Sequence, residues 1–451
     1  MKLPSYPRMK PSGVAWLGDV PDHWGAKRLK YSASINDDAL PETTPPDFEF
    51  EYLDIGGVSA VDGITATEQV VFENAPSRAR RKVRHGDTIV STVRTYLRAI
   101  APIKNPPKDL VVSTGFAVVR PRKVEPAFLA YAVRESSFVE SVVARSVGVS
   151  YPACNASEVG GIAIPLPDAA EQRAIAAFLD RETGQLDRLV AKKRELIERL
   201  MEKRTSLISR TVTRGLPPAA ALAAGFPANP PLKSSTLDWL GDIPEHWEAL
   251  TVRRRATRIQ AGGTPPTAEE RYYEDGTVPW FGPGSFDDQI AVSQPIKLLH
   301  ASAVKEGAAR MFAAGATMVV TIGATLGKVT SLTKAGSCNQ QITVIEFERR
   351  RIHPLFATYQ LKRLEPALRA IAPSATLPIL DQGEIADIAL GVPPLLEQAA
   401  IAAYLDLEAA KLDALVGKVE EAVERLQEYR TALITAAVTG KIDVRKASEQ
   451  K

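Results

Sequence analysis

The sequence predicts an α+β protein built twice: two tandem α+β domains at opposite ends of an antiparallel two-helix coiled-coil stalk, an internal duplication with pseudo-twofold symmetry. Three observations carry that expectation. The stretch WLGDVPDHW (16–24) returns as WLGDIPEHW (239–247), with seven of nine positions identical. DAAEQRAIAAFLDRETGQLD (168–187) matches PLLEQAAIAAYLDLEAAKLD (394–413) at an offset of 226 residues. Each copy of that second stretch opens a heptad pattern, and a repeat of such length dictates how the rest of the chain is read.

The first domain is read as 1–167. Its runs TIVSTV (88–93) and LVVSTGFAVVR (110–120) are strand-like, and PAFLAYAVRESSFVESVVARS (126–146) is helical. Helix one is read as 168–214, with Leu179, Leu186, Lys193, Leu200 and Leu207 seven apart and one lysine in the seam. Asp168 with Glu171 is an Asp-x-x-Glu start signal, and Gly184 is expected to break a short leading helix from a longer one of about 29 residues, ~44 Å. Residues 215–234, rich in Ala and Pro, read as a linker. The second domain is 235–392, with strand-like TMVVTI (317–322) and ITVIEF (342–347) and helical PLFATYQLKRLEPALRAIA (354–372). Helix two is 393–441, with Leu405, Leu412, Val419, Leu426 and Leu433 in register, followed by a tail at 442–451. Residues 171–214 hold 11 basic and 7 acidic side chains, net +4, and residues 397–441 hold 5 and 8, net −3. Opposite charge at one repeat offset favours pairing between the two helices. Trp16, Trp24, Trp239 and Trp247 are expected to be buried structural anchors, one framework entry to each domain.

Composition narrows the function. No apolar run reaches the 18 or so residues of a membrane helix, the N-terminus lacks a signal-peptide core, and the only cysteines are Cys154 and Cys338. The expectation is a cytoplasmic protein without a disulfide framework or membrane association. Catalytic motifs are imitated but incomplete. NPPK (105–108) and NPPL (229–232) lack the aromatic that would stack on a target base, and GATLGK (323–328) is one residue short between its glycines for a phosphate loop. No histidine or cysteine spacing suits a metal. A non-enzymatic chain without a metal or cofactor of its own is expected.

The basic clusters and several exposed polar residue types suit a DNA duplex. Arg81 and Lys82 lie in RARRKVRH (78–85), and Arg254 in TVRRRATR (251–258); such runs suit phosphates, although they also suit a solvated face. Arg94, Tyr96 and Arg98 alternate after a predicted strand, which would aim them to one side. Arginine reads guanine bidentately, and Asn339, Gln340 and Gln341 are of the types that read adenine, a polar turn being the alternative. Thr325 and Lys328 occupy the second domain's equivalent loop, and Ser150, Tyr151 and Thr376 complete the set. A non-DNA-binding protein-interaction scaffold remains the competing reading, supported by a net charge of only +3.

The tryptophan box, together with LPDAAEQRAIAAFLD (166–180), resembles the specificity subunit of type I restriction-modification enzymes over nearly the whole chain. The second copy departs at Ala399, where the first has Arg173. The resemblance implies two target-recognition domains, each reading half of a split, asymmetric duplex site. It also implies partners: two methyltransferase subunits using S-adenosylmethionine, and restriction/translocase subunits using ATP and Mg2+. On the 29-residue helix, the domain centres would lie roughly 13 bp apart, leaving an unread gap of several pairs once the bases read are subtracted.

Overall fold

The computed structural model describes residues 4–59, 62–148, 151–237, 239–371 and 379–445. The chain divides into two compact units, Met1–Arg194 with Glu420–Lys451 and Glu195–Val419. In the first, Thr88–Ser91 lies between Ile100–Pro102 and Phe116–Pro121, all antiparallel, with Ala33–Ile35 beyond the latter. All four residues of Thr88–Ser91 are buried, which is why TIVS lacks the alternation of a strand with one wet face. A second sheet orders Glu68–Val71, Glu49–Leu53, Leu110–Ser113 and Ala79–Lys82, its middle pair parallel.

The second unit repeats the first sheet strand for strand. Val329–Leu332, Thr317–Val320, Ile342–Phe347 and Ala256–Ala261 lie in the same order, with Ala291–Val292 added at the edge. The helical stretches each split in two, into Pro126–Ala132 and Ser136–Ala144 in one unit and Pro354–Lys362 and Glu365–Ile371 in the other.

The long helices are Ala169–Arg214 and Leu395–Val438. Gly184 does not break the first, contrary to the sequence expectation. The helix is continuous over 46 residues, about 69 Å at 1.5 Å per residue, so the 13 bp estimate loses its basis. A glycine costs a helix interior only about 1 kcal/mol, and packing on either side outweighs that: Leu179 and Val190 are buried. Within each unit the two helices run antiparallel. In the first, Ile175 and Leu179 share a core with Leu433, Ile434 and Val438, and Arg430 pairs with Asp187 at 2.8 Å. In the second, Ile208 and Val212 share a core with Ile401 and Leu405, and Arg204 pairs with Asp413 at 2.8 Å.

What joins box to helix is a buried glutamate. Asp168 does cap the first helix by accepting from the Glu171 N–H (2.9 Å), but the Glu171 side chain does not return to close a capping box. It is buried and accepts from Tyr6 Oη (2.7 Å) and Trp24 Nε1 (2.8 Å), with His23 Nε2 at 2.9 Å. Glu397 repeats the device with Trp247 Nε1 (3.2 Å) and His246 Nε2 (2.8 Å). The following glutamines staple the preceding segment: Gln172 donates to Pro167 O and accepts from the Glu125 N–H, and Gln398 donates to Pro393 O and accepts from the His353 N–H, all at 2.8 Å.

Trp24 and Trp247 are fully buried, and Trp16 is half-buried against the first core. Trp239 corrects the expectation of four buried anchors, being 46% exposed. It lines an apolar pocket with Leu364, Ala367, Leu368 and Leu380.

The segment 215–234 is also more than a linker. Leu216 and Ala221 are buried in the second unit's core, Pro218–Ala223 is helical, and Leu232–Ser234 pairs with Asp242–Pro244 as Met9–Pro11 does with Asp19–Pro21. Its small and apolar residues read as chain flexibility out of context, yet they suit a surface where backbone lies close on a core.

Candidate nucleic-acid interface

Two loops meet beyond the end of the main sheet in each unit, and the repeat extends to their individual hydrogen bonds. In the first unit, the Thr92 N–H and hydroxyl both donate to Gly115 O (2.8 and 2.9 Å), Val93 bridges Ala153, and the Cys154 N–H donates to Thr92 O (2.9 Å). In the second, Thr321 donates twice to Gln341 O (2.8 and 3.2 Å), Ile322 bridges Ile379, and the Leu380 N–H donates to Thr321 O (2.9 Å).

A tight turn follows. The Leu97 N–H donates to Arg94 O at 2.9 Å, and the Leu326 N–H donates to Gly323 O at 3.0 Å. Both ends of both turns have positive φ: Arg94 at 51° and Arg98 at 52°, Gly323 at 104° and Gly327 at 89°. Glycine adopts such angles freely, whereas another residue costs of order 1–3 kcal/mol. The expectation that Arg94, Tyr96 and Arg98, alternating after the strand, point to one side is thereby corrected. Sheet pairing stops at Ser91 with Phe116, and Thr95–Leu97 is a 3-10 turn.

The first unit's turn is held firmly. The Arg94 N–H donates to Pro152 O (2.8 Å) and its guanidinium lies 4.8 Å over the Tyr151 ring. Buried Thr95 shares a hydroxyl bond with Ser146 (2.7 Å), and Arg98 pairs with Glu140. Tyr96, Leu97, Tyr151 and Val147 are all exposed. Sequence reasoning passed over Leu97 and Val147, because a lone apolar residue in a loop carries no periodic signal.

In the second unit, Thr325 is half-buried and Lys328 Nζ donates to Phe286 O (3.2 Å). Asn339 is a turn former: it is buried, donates to Gln341 Oε1 (2.9 Å) and accepts from the Gln341 N–H (3.1 Å). Gln340 is exposed and accepts from the Thr264 hydroxyl, while Gln341 is half-buried behind it.

The basic run at 78–85 is largely absorbed by its own domain. Arg78 pairs with Asp54 (2.8 Å), Arg84 with Asp38 (2.6 Å), and Arg80 lies over Phe72. Arg81 is half-buried on Ala79–Lys82, with burial lowering its pKa, and Lys82 is exposed. Arg254 is exposed at the end of Val252–Arg254, between Arg253, paired with Asp387, and Arg255, paired with Glu248. Ser150 and Thr376 lie outside the described residues. Among the described residues, no group of three or more His, Cys, Asp or Glu could hold a metal, and no helix is long and apolar enough to cross a membrane.

Comparison with known proteins places these loops in context. Residues 67–199 and 257–425 match the family described as type I restriction modification DNA specificity domain. A Methanocaldococcus jannaschii protein named as the MjaX specificity subunit of a type I restriction enzyme is 21% identical over 445 residues, 95% of this chain and 96% of its own. The Escherichia coli EcoBI specificity subunit is 32% identical over 104 residues, 23% of this chain and 22% of its own. A chain from a structure concerned with complex assembly and conformational transition of the type I R-M system is similar in fold. It has a TM-score of 0.70 at 24% identity, covering 94% of this chain and 99% of that one.

Proposed function

Because this chain belongs to the type I restriction-modification DNA specificity family and is a non-catalytic DNA sequence-specificity subunit, we propose that its two repeated units each read one half of a split duplex site. The first reads through the turn at Arg94–Arg98 with Tyr151, the second through the turn at Gly323–Gly327 with Thr325 and Gln340. One observation carries this. Among the described residues, both units tie the turn to the strand end and to a second segment with the same backbone bonds, yet place different side chains on the turn. A shared frame with divergent tips suits two readers of different half-sequences. Lys82 and Arg254 supply phosphate contacts that set orientation without carrying sequence information.

The chemistry belongs to partners in this reading: two methyltransferase subunits using S-adenosylmethionine to methylate adenine, and restriction/translocase subunits using ATP and Mg2+. The complex works in the cytoplasm. The test is a map of methylated adenines with and without this chain in a host carrying the methyltransferase. A split motif with a fixed gap that disappears on deletion is the expected result, and an unchanged map in a methylating host refutes the proposal. Arg94→Ala should relax one half-site only, since a bidentate base contact is worth about 1–3 kcal/mol of discrimination. Equal weakening on all sequences would make Arg94 a phosphate contact.

A further inference from the structure

The two turns are built on the same backbone plan but treat their tips in opposite ways. Leu97 is 41% exposed, and Leu326, at the same place in the repeat, is 2% exposed. Leu326 joins the second unit's core with Leu364 and Leu368. Tyr96, 55% exposed, corresponds to half-buried Thr325. The first turn also accepts arginine at both positive-φ positions where the second has glycine. Its strained backbone is braced from below by the Thr95–Ser146 bond, the Arg94–Tyr151 stack and the Arg98–Glu140 pair. The outcome is a braced tip that holds an aromatic and an aliphatic side chain out in solvent. Around it, Arg94, Arg98 and Arg145 are exposed, Arg98 being paired with Glu140. An apolar tip within a cationic collar matches a stacked, polyanionic partner better than a protein surface.

Resting on the DNA-reading role given above, we propose that Tyr96 and Leu97 form a wedge that enters the base stack of the first half-site and opens one base step. The second unit, with its leucine turned inward, carries no such wedge. Apolar side chains inserted at a base step unstack and kink duplex DNA. Arg98 and Arg145, both exposed, hold phosphates beside the opened step, and Arg94 keeps its base contact. A braced tip suits this task because it is not ordered anew on binding. Specificity at that step then comes partly from how easily the sequence unstacks, which is read without a base-edge contact.

The experiment uses the assembled subunit with its methyltransferase partners, without S-adenosylmethionine, on duplexes of the mapped site. 2-Aminopurine is placed in turn at each position except the methylated adenines. One step in the first half-site should brighten severalfold and none in the second. Tyr96→Ser with Leu97→Ser should abolish that signal and weaken specific binding about 10- to 100-fold, with the thermal melt unchanged because both side chains are exposed. Tyr96→Ala alone should give an intermediate signal. The wedge is overturned if no step brightens while specific binding is intact, or if brightening survives the double substitution. It is equally overturned if the double variant loses its methyltransferase partners, which would make the tip a protein contact. Failure of the wild-type complex to prefer the mapped site over unrelated duplex would overturn the DNA-reading role itself.

Discussion

Replacing Glu171 by Ala should destabilise the first unit about twice as much as Glu397→Ala destabilises the second. Glu171 accepts from two buried donors, Trp24 Nε1 at 2.8 Å and Tyr6 Oη at 2.7 Å, as well as facing partly exposed His23. Glu397 serves one buried donor, Trp247 Nε1 at 3.2 Å, beside partly exposed His246. Orphaning a buried donor costs about 1–3 kcal/mol, and each histidine regains water. The expectation is therefore ~4 kcal/mol for Glu171→Ala and ~2 kcal/mol for Glu397→Ala. At about 2–4 °C per kcal/mol for units of this size, the local melts fall by about 8–16 °C and 4–8 °C. Glu171→Gln keeps a carbonyl for one or two donors and should lose about half as much. Segment-resolved hydrogen exchange in increasing urea measures each unit separately. Equal losses in the two units, or less than about 1 kcal/mol for Glu171→Ala, would refute the idea that donor count sets the cost.

Other expectations follow from burial and helix length. Burial, then the bond to Glu171, raises the Tyr6 pKa, and burial with the Asp406 charge raises that of Tyr359. Their stabilising contribution is complete below the unfolded tyrosine pKa of about 10 and is lost as pH rises beyond it. Stability should fall from pH 9 to 11, less steeply in a Tyr6→Phe, Tyr359→Phe variant, as followed by urea midpoints. Burial pushes the Cys338 thiol up to about 12, so a disulfide reagent at pH 8 should leave it unmodified in the native chain and react on denaturation; native labelling would contradict its burial. Adding one heptad to each long helix should lengthen the unread gap in the methylated motif without altering either half-sequence. Altered half-sequences at a constant gap would count against the helices as spacers.

Much of this protein was legible in its sequence, for reasons that are local. The box at 16–24 and 239–247 and the Glu-Gln pairs at 171–172 and 397–398 recur because each copy must make the same bonds. The heptads recur because a helix buries one stripe, and Leu179, Leu405, Leu412 and Leu433 are buried accordingly. What depends on neighbours distant in sequence was not legible. Gly184 looked like a break because propensity is a property of single residues, whereas the packing that carries the helix past it comes from Leu433, Ile434 and their surroundings. The Ala-Pro stretch looked free because composition does not reveal the core beneath Leu216 and Ala221. Trp16 and Trp239 are the same letter in the same box, yet Trp16 packs against the first core while Trp239 stays open at a pocket lined by Leu364 and Leu368, more than a hundred residues on. The candidate site divides in the same way. Residue types marked Arg94, Tyr96 and Tyr151 as chemistry suited to DNA, but the fold set Arg94 on Tyr151 and turned Leu97 outward while burying Leu326. Sequence determined the frame and its duplication, since both rest on short-range pattern. Tertiary structure decided which side chains stay in solvent, since exposure is set by whatever the rest of the chain brings alongside.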